Sequence, residues 1–226
     1  MIRSPAAAVL AGLPAGVVDT WCIPLRPESP ALERWRSALR HDERAEAARR
    51  RVAGPAWAAA RGALRAILGR YLGEPPESLR FERTPLGKPR LVGREAPRFS
   101  VAWREELALV GVASDREVGV DLERELEDAD VSGLARDHLS LLDQAAVLRA
   151  PPERRRTVFF EAWARHEARR KLHGLALEDP LPELDETSVV IVRALNVPAG
   201  WAAAVAAEGS TWRVRRREVA ELGEVN

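Results

Sequence analysis

Three strand-length apolar runs, separated by short polar turns, follow one another in residues 98–123 and limit what this chain can fold into. They read "RFSVAW", "LALVGVA" and "VGVDLE", and the last connection is the tight "SDRE". Runs of this length joined by turn-forming residues are typical of consecutive antiparallel strands. Alternating βαβ units would instead place a helix between the strands. We therefore expect an α+β chain with antiparallel hairpins.

The rest of the chain supplies further strands and several helices. Leu64, Ile67, Leu68 and Tyr71 recur at steps of three and four, which predicts a buried stripe on a helix. Strands are also predicted in 16–25, on both sides of a turn in 79–92, and in 187–195, 201–207 and 211–219. Helices are predicted in 31–72, 126–150 and 157–174, with "PPERRR" joining the last two. The strand, turn and strand of 107–123 are faintly echoed in 201–219, as two similar lobes would produce.

Charge, cysteine content and hydropathy exclude several classes of function. The 226 residues include 35 basic and 34 acidic side chains, so the net charge of +1 gives no reason to expect a nucleic-acid partner or an anionic membrane surface. Cys22 is the only cysteine, which excludes an internal disulfide and fits a reducing, cytoplasmic location. No run approaches the roughly 20 apolar residues of a membrane span. A signal peptide is not expected, because Pro5 and Pro14 interrupt the weak N-terminal apolar stretch.

Lysine is rare in this chain. Lys88 and Lys171 are its only lysines, and all the other basic residues are arginine. An ammonium is a compact point charge on a flexible stem, whereas a guanidinium is a planar fork. The two lysines are therefore candidates for positions where the chemistry of lysine matters.

Two carboxylates stand at the end of the last apolar run. In a strand, side chains alternate between the two faces, so Asp121 and Glu123 point to one face while Val120 and Leu122 point to the other. Two acids on one face repel each other and need a cation nearby. A divalent metal is one candidate, and simple exposure of both acids to water is the other.

A third acid lies on the predicted helix 157–174. Phe160, Trp163, Glu167 and Lys171 follow one another at steps of three, four and four, so the acid and the lysine share a stripe that begins with two large aromatics. One interpretation is a solvated Glu–Lys pair at the helix surface, worth about 0.3 kcal/mol. The other joins Glu167 to the two strand acids as three hard oxygen donors of the kind that Mg²⁺ prefers.

Four motifs in register resemble a known family. They are "GKP" at 87–89, "FSVAW" at 99–103, "VGVDLE" at 118–123 and "FFEAWARHEARRK" at 159–171. Their order and spacing resemble the 4'-phosphopantetheinyl transferases of the Sfp type, over roughly residues 17–220. The resemblance implies the fold of that family, with two pseudo-symmetric lobes of antiparallel sheets and packed helices. We expect these lobes at 1–106 and 107–226.

The resemblance also implies a function. It predicts Mg²⁺-dependent transfer of phosphopantetheine from coenzyme A to a serine of an acyl or peptidyl carrier protein. By position in the motifs, Asp121, Glu123 and Glu167 would bind the metal. Glu167 would also activate the serine, Lys171 would lie near the phosphates, and Lys88 would lie on the coenzyme side.

Several positions depart from the family pattern. The family's Ser-His-Ser after "FSV" is replaced here by Ala102, Trp103 and Arg104, and an arginine that binds the 3'-phosphate is replaced by Ala56, although Arg61 follows as expected. The lysine that precedes the helix glutamate is His166. The chain is thus a divergent member that lacks the Ser-His coenzyme A motif. Remaining candidates for contact with the coenzyme are Lys88, Arg61, Trp103, Arg104 and His166.

Three functions remain open on the sequence alone. In the first, Arg104 or Arg61 supplies the missing phosphate contacts and the chain is a divergent transferase. In the second, the fold has become a biosynthetic enzyme for a small-molecule intermediate that no longer uses coenzyme A, with Trp103 lining an apolar pocket. In the third, the chain is a non-catalytic binder of carrier proteins, although keeping costly buried acids argues against this.

Overall fold

The computed structural model describes residues 12–25, 30–175, 179 and 189–222. This part of the chain contains helices and strands in mixed order, and the predicted α+β class is confirmed. The helices are α1 (Pro30–Ser37), α2 (His41–Arg49), α3 (Gly54–Leu72), α4 (Val131–His138), α5 (Leu141–Arg149) and α6 (Pro152–His173). The strands are β1 (Val17–Pro24), β2 (Phe81–Arg83), β3 (Pro89–Leu91), β4 (Arg98–Trp103), β5 (Leu107–Ala113), β6 (Val118–Arg124), β7 (Val190–Ala194), β8 (Trp201–Glu208) and β9 (Arg213–Arg217).

Two sheets pack face to face, and a long helix covers the outer face of each. The first sheet has the order β4-β5-β1-β9 and the second has the order β6-β8-β7, while β2 and β3 form a separate pair. All neighbours are antiparallel except β1 and β9, which are parallel. One apolar core lies between α3 and the first sheet, a second between the two sheets, and a third between the second sheet and α6.

The apolar stripe predicted on α3 is confirmed. Leu64, Ile67, Leu68 and Tyr71 are all buried against the first sheet. The helix ends at Gly73, whose φ of 65° lies in the left-handed region that glycine adopts without strain. The helix therefore forms a rigid outer layer over the first sheet.

The alternation predicted for β6 is also confirmed. Val118, Val120 and Leu122 lie in the core between the two sheets, so the odd-numbered residues face α6. At Gly119 the strand touches the helix so closely that an added Cβ would lie 2.0 Å from the carbonyl oxygen of Ala168. This contact places Asp121, two residues further along the same face, beside α6.

The expected hairpin between 107–113 and 118–123 is wrong. β5 pairs with β1 and β4 in the first sheet, whereas β6 pairs with β8 in the second, so the "SDRE" turn carries the chain from one sheet to the other. The same holds for β8 and β9. β5 is buried on both faces, and a short turn after such a run is compatible with either connection.

The last long helix begins earlier than predicted. α6 starts at Pro152, so the "PPERRR" segment that was predicted to be a connection forms its first turns. Proline is well accommodated at the first position of a helix, because the amide hydrogen it lacks has no partner there. The helix ends as predicted at Gly174, with φ of 77°.

The division into lobes at residue 106 stays a prediction. The first sheet contains β1 and β4 from one side of that boundary and β5 and β9 from the other. In the described part of the chain, no helix has both the length and the apolar character needed to cross a membrane.

Candidate active site

Asp121 is the most deeply buried acid of the predicted site. Its residue is 1% exposed, and its Oδ1 accepts a hydrogen bond of 2.6 Å from Nζ of Lys171. Its Oδ2 is buried without a hydrogen-bond partner. The strand and the helix thus bring the predicted acid and lysine together across 50 residues of sequence.

Glu123 lies on the same face of β6 as Asp121 and is paired with Arg104. The Nη2 of Arg104 lies 2.5 Å from Oε1 of Glu123, and its Nε donates to Oε2 at 3.2 Å. Burial raises the pKa of the Glu123 carboxyl, and the neighbouring Asp121 raises it further, while Arg104 and Lys171 oppose the rise. The arginine that replaced the family's second serine is therefore the counter-ion of a predicted metal ligand.

Glu167 faces the strand acids from α6. Its Oε1 is buried without a hydrogen-bond partner, and the nearest guanidinium nitrogen, Nε of Arg170, is 3.7 Å away. Burial raises the pKa of the Glu167 carboxyl, repulsion from Asp121 and Glu123 raises it further, and Lys171 and Arg170 oppose the rise. The three acids thus share one electrostatic environment between β6 and α6.

These acids are near enough to repel one another but do not form a complete set of metal ligands. Among the described residues, no three His, Cys, Asp or Glu side chains are arranged to hold a metal together. Asp121 and Glu123 instead direct oxygens at Lys171 and Arg104. The Oδ2 of Asp121 and the Oε1 of Glu167 are hard, buried oxygens that accept no hydrogen bond, although Arg170 lies 3.7 Å from the second, and such oxygens fit a divalent cation such as Mg²⁺.

A small cavity of about 270 Å³ adjoins the acids. It is lined by Val101, Ala102, Trp103, Arg104, Glu105 and Lys171. Two of these side chains are the cations that pair with Asp121 and Glu123. The cavity can therefore accept an anionic group next to the carboxylates.

A second cavity, of about 340 Å³, also has Trp103 in its lining. The guanidinium of Arg61 lies 3.8 Å from the Phe81 ring centre and donates to Glu43 at 2.6 Å. Sequence reasoning found Arg61 but missed three further lining residues, which are Arg50, Trp57 and Arg83. Arg50 lies over the Trp57 ring at 5.3 Å. Arg50 stands in the arginine run 49–51, which the sequence favoured as a solvated face, and no motif singled out Trp57.

Lys88 is held entirely by the protein. Its ammonium donates to Oε2 of Glu117 at 2.6 Å and to the carbonyl oxygens of Val118 and Leu172, both at 2.9 Å. An ammonium has three hydrogens, so all of its donors are used. Burial lowers the pKa of Lys88, and its side chain is only 11% exposed. Lys88 thus links β6 to α6 through hydrogen bonds. Its predicted contact with the coenzyme stays a prediction.

His166 lies on a different side of α6 from the acids. Its ring packs 6.3 Å from the ring of Trp163, which in turn contacts His138 at the end of α4. Burial lowers the pKa of His166, and Arg170 lowers it further. The structure therefore does not bring His166 together with the acids, unlike Arg104 and Lys171.

Comparison with known proteins extends the similarity well beyond the four motifs. No protein-family model matches the chain. The 4'-phosphopantetheinyl transferase HetI of Nostoc sp. is 32% identical over 183 residues, which cover 77% of this chain and 74% of that protein. A putative 4'-phosphopantetheinyl transferase of Synechocystis sp. is 32% identical over 124 residues, which cover 54% of this chain and 50% of that protein. The chain therefore belongs to the 4'-phosphopantetheinyl transferase family of enzymes.

Proposed function

We propose that the enzyme moves 4'-phosphopantetheine from coenzyme A to a serine of an acyl or peptidyl carrier protein in a Mg²⁺-dependent reaction. The observation that carries this proposal is the pair of unpartnered buried oxygens, on Asp121 and Glu167, next to a cavity lined by two cations. Buried carboxylate oxygens without a partner are costly, and a divalent cation would satisfy both. Names of related proteins support the same reaction class.

Asp121, Glu123 and Glu167 would hold the metal. When bound, Mg²⁺ neutralises charge on the phosphate oxygens of the substrate and helps to position them. Glu167 would also take the proton of the carrier serine at a carboxylate oxygen.

Lys171 and Arg104 would bind the phosphates in the small cavity. Transfer of a phosphoryl-type group depends mainly on positioning and on stabilisation of negative charge. Both cations line the cavity beside the acids, so they can offset charge that develops on the leaving side. This assignment makes Glu167 and Lys171 the catalytic pair.

The second cavity, of about 340 Å³, would bind the nucleotide end of the coenzyme. It offers the aromatic rings of Trp57, Phe81 and Trp103 for an adenine, and the guanidinium groups of Arg50, Arg61 and Arg83 for phosphate. These arginines can take over the role of the one replaced by Ala56. Val101 and Trp103 line both cavities, so an elongated ligand could extend from one cavity into the other.

Two features favour a second candidate, a repurposed enzyme that acts on a small-molecule intermediate. Trp103 occupies the position of a phosphate-binding histidine, and Arg104 covers one of the acids. Thermal stabilisation by coenzyme A with Mg²⁺ would count against this candidate. Equal melting temperatures with and without them would favour it.

We also propose the two pseudo-symmetric lobes at 1–106 and 107–226. Each half contributes one long helix, α3 or α6, that covers the outer face of a sheet. The connections β5 to β6 and β8 to β9 both pass between the sheets, which agrees with the echo seen in the sequence.

The decisive experiment incubates the enzyme with an apo carrier protein, coenzyme A and Mg²⁺. Mass spectrometry should show that the carrier gains one phosphopantetheine group, and the same carrier with its serine replaced by alanine should gain none. A known transferase on the same carriers is the positive control. If the known transferase modifies several carriers and this enzyme modifies none of them, the proposal is wrong.

A further inference from the structure

Arg104 lies at the border between the acids and the small cavity. Its guanidinium pairs with both oxygens of Glu123, and its Nη1 donates to the carbonyl oxygen of Trp103 at 3.2 Å. The same side chain lines the cavity of about 270 Å³. Its side chain is 43% exposed, so it can rotate without disturbing the core.

The two cations of this cavity are both neutralised in the free protein. Arg104 is paired with Glu123, and Lys171 is paired with Asp121. Neither is therefore available at full strength to an anion in the cavity. A divalent cation on the acids would compensate the same carboxylates and would leave both side chains with uncompensated positive charge.

We propose that Arg104 changes partners during ligand binding: it is the counter-ion of Glu123 in the free enzyme and moves to a phosphate of the substrate once a divalent cation takes the carboxylate. This inference rests on the proposed function, since it requires that the cavity binds a phosphate. It gives Arg104 a positioning and affinity role that the family's serine could not supply, because a hydroxyl carries no charge to exchange. Metal and phosphate binding would thereby strengthen each other.

The exchange can be tested without any metal. Glu123→Gln removes the carboxylate and frees Arg104, so coenzyme A should bind more tightly than to the wild-type enzyme. Part of that gain comes from removing the repulsion between the Glu123 carboxylate and the phosphates of coenzyme A. Glu123→Gln in an Arg104→Gln background measures this part alone. We expect the gain to be about tenfold larger when Arg104 is present, as for one charge-assisted hydrogen bond. Isothermal titration calorimetry on the four proteins measures the four dissociation constants.

The second arm adds Mn²⁺ as the metal probe. Electron paramagnetic resonance of free Mn²⁺ measures metal binding with and without coenzyme A, and a protein-free titration corrects for chelation by the coenzyme. Coenzyme A should tighten Mn²⁺ binding to the wild-type enzyme, and Arg104→Gln should reduce this coupling factor. Melting curves of all variants check that each is folded.

The outcomes separate the exchange from the proposed function. If coenzyme A binds but the two substitutions have additive effects without metal, Arg104 does not change partners and only the exchange is overturned. An unchanged coupling factor in Arg104→Gln has the same consequence. If coenzyme A binds to none of the four proteins either without metal or with Mn²⁺ present, the proposed function is wrong, and the exchange is wrong with it.

Discussion

At the scale of single residues, Glu167 shows how a functional group can lower stability. Its side chain is 17% exposed, its buried Oε1 has no hydrogen-bond partner, and two further acids lie nearby, so the pKa of its carboxyl is raised. The folded protein then binds this proton more tightly than the unfolded chain does. Stability therefore decreases as the pH rises from the unfolded value, about 4.3, through the raised folded value.

We predict that Glu167→Gln stabilises the protein at pH 8 and abolishes most of its activity. The melting temperature should exceed that of the wild type at pH 8, and the two should converge below about pH 3, where the wild-type carboxyl is protonated in both states. Transfer to the carrier protein should fall about 100-fold or more through loss of the base. Glu161→Gln, an exposed acid on the same helix, is the control and should change neither property. A Glu167→Gln enzyme with wild-type turnover would contradict the assignment.

Some of these residues could be predicted from the sequence and others could not. Side-chain alternation is a local rule, so it placed Asp121 and Glu123 on one face of β6 correctly. The ion pair of Glu123 with Arg104 joins strands of two different sheets, and no local pattern encodes which sheets pack together. Lys88 illustrates the same limit, because its acceptors come from β6, α6 and the residue before β6.

At the scale of elements, the distance between β6 and α6 determines the geometry of the site. Gly119 is the point of closest approach, and a methyl group there would meet backbone atoms of Ala168 and Leu172. Backbone of a packed helix cannot move aside cheaply. The acids on β6 and α6 face each other because this position has no side chain.

We predict that Gly119→Ala destabilises the protein by about 3 kcal/mol and weakens Mn²⁺ binding, because it pushes α6 away from the strand. Gly111→Ala is the matched control. Its added methyl would lie 2.6 Å from a side-chain carbon of the buried Val120, so this variant should also lose stability. That contact lies on the opposite face of β6 from the acids, so Mn²⁺ binding should be unchanged. Urea unfolding and Mn²⁺ titration measure the two effects. Equal losses of Mn²⁺ binding in both variants would contradict the role given to Gly119.

Prediction from sequence was reliable for the presence of elements and unreliable for their connections. In the described part of the chain, each of the nine strands lies in a predicted segment or extends one residue beyond it, because apolar runs and turn residues are local signals. The β5–β6 and β8–β9 connections were predicted as hairpins, but each passes between two sheets. A strand buried on both faces gives no sign of which neighbour it pairs with, and this explains the error.

At the scale of the whole molecule, one buried acid joins distant parts of the chain. Asp19 on β1 is fully buried, and it accepts hydrogen bonds from Tyr71 on α3 at 2.5 Å and from Nε of Arg215 on β9 at 2.6 Å. The Nη2 of Arg215 adds a second bond to this carboxylate, at 2.8 Å. The last strand is thereby fixed to the first strand and to α3.

We predict that Arg215→Met destabilises the protein by about 2 kcal/mol, because it removes two charge-assisted hydrogen bonds from the buried Asp19 carboxylate and leaves it the more distant Arg217, at 3.9 Å, as a cationic partner. Arg216→Met is the control. Arg216 is exposed and forms a longer contact of 3.4 Å with Glu218, so its loss should change stability by less than about 0.5 kcal/mol. Urea denaturation measures both. Asp19→Asn should largely remove the difference between the two arginine variants, and its persistence would contradict the explanation.

The position of Lys88 explains why this chain, which otherwise uses arginine for almost every positive charge, keeps a lysine there. One carboxylate and two carbonyl oxygens surround a single nitrogen like the feet of a tripod. A flat guanidinium spreads its hydrogens over three nitrogens in one plane and cannot direct them at three acceptors around one point. An arginine at position 88 would therefore leave at least one of these three oxygens without its hydrogen bond.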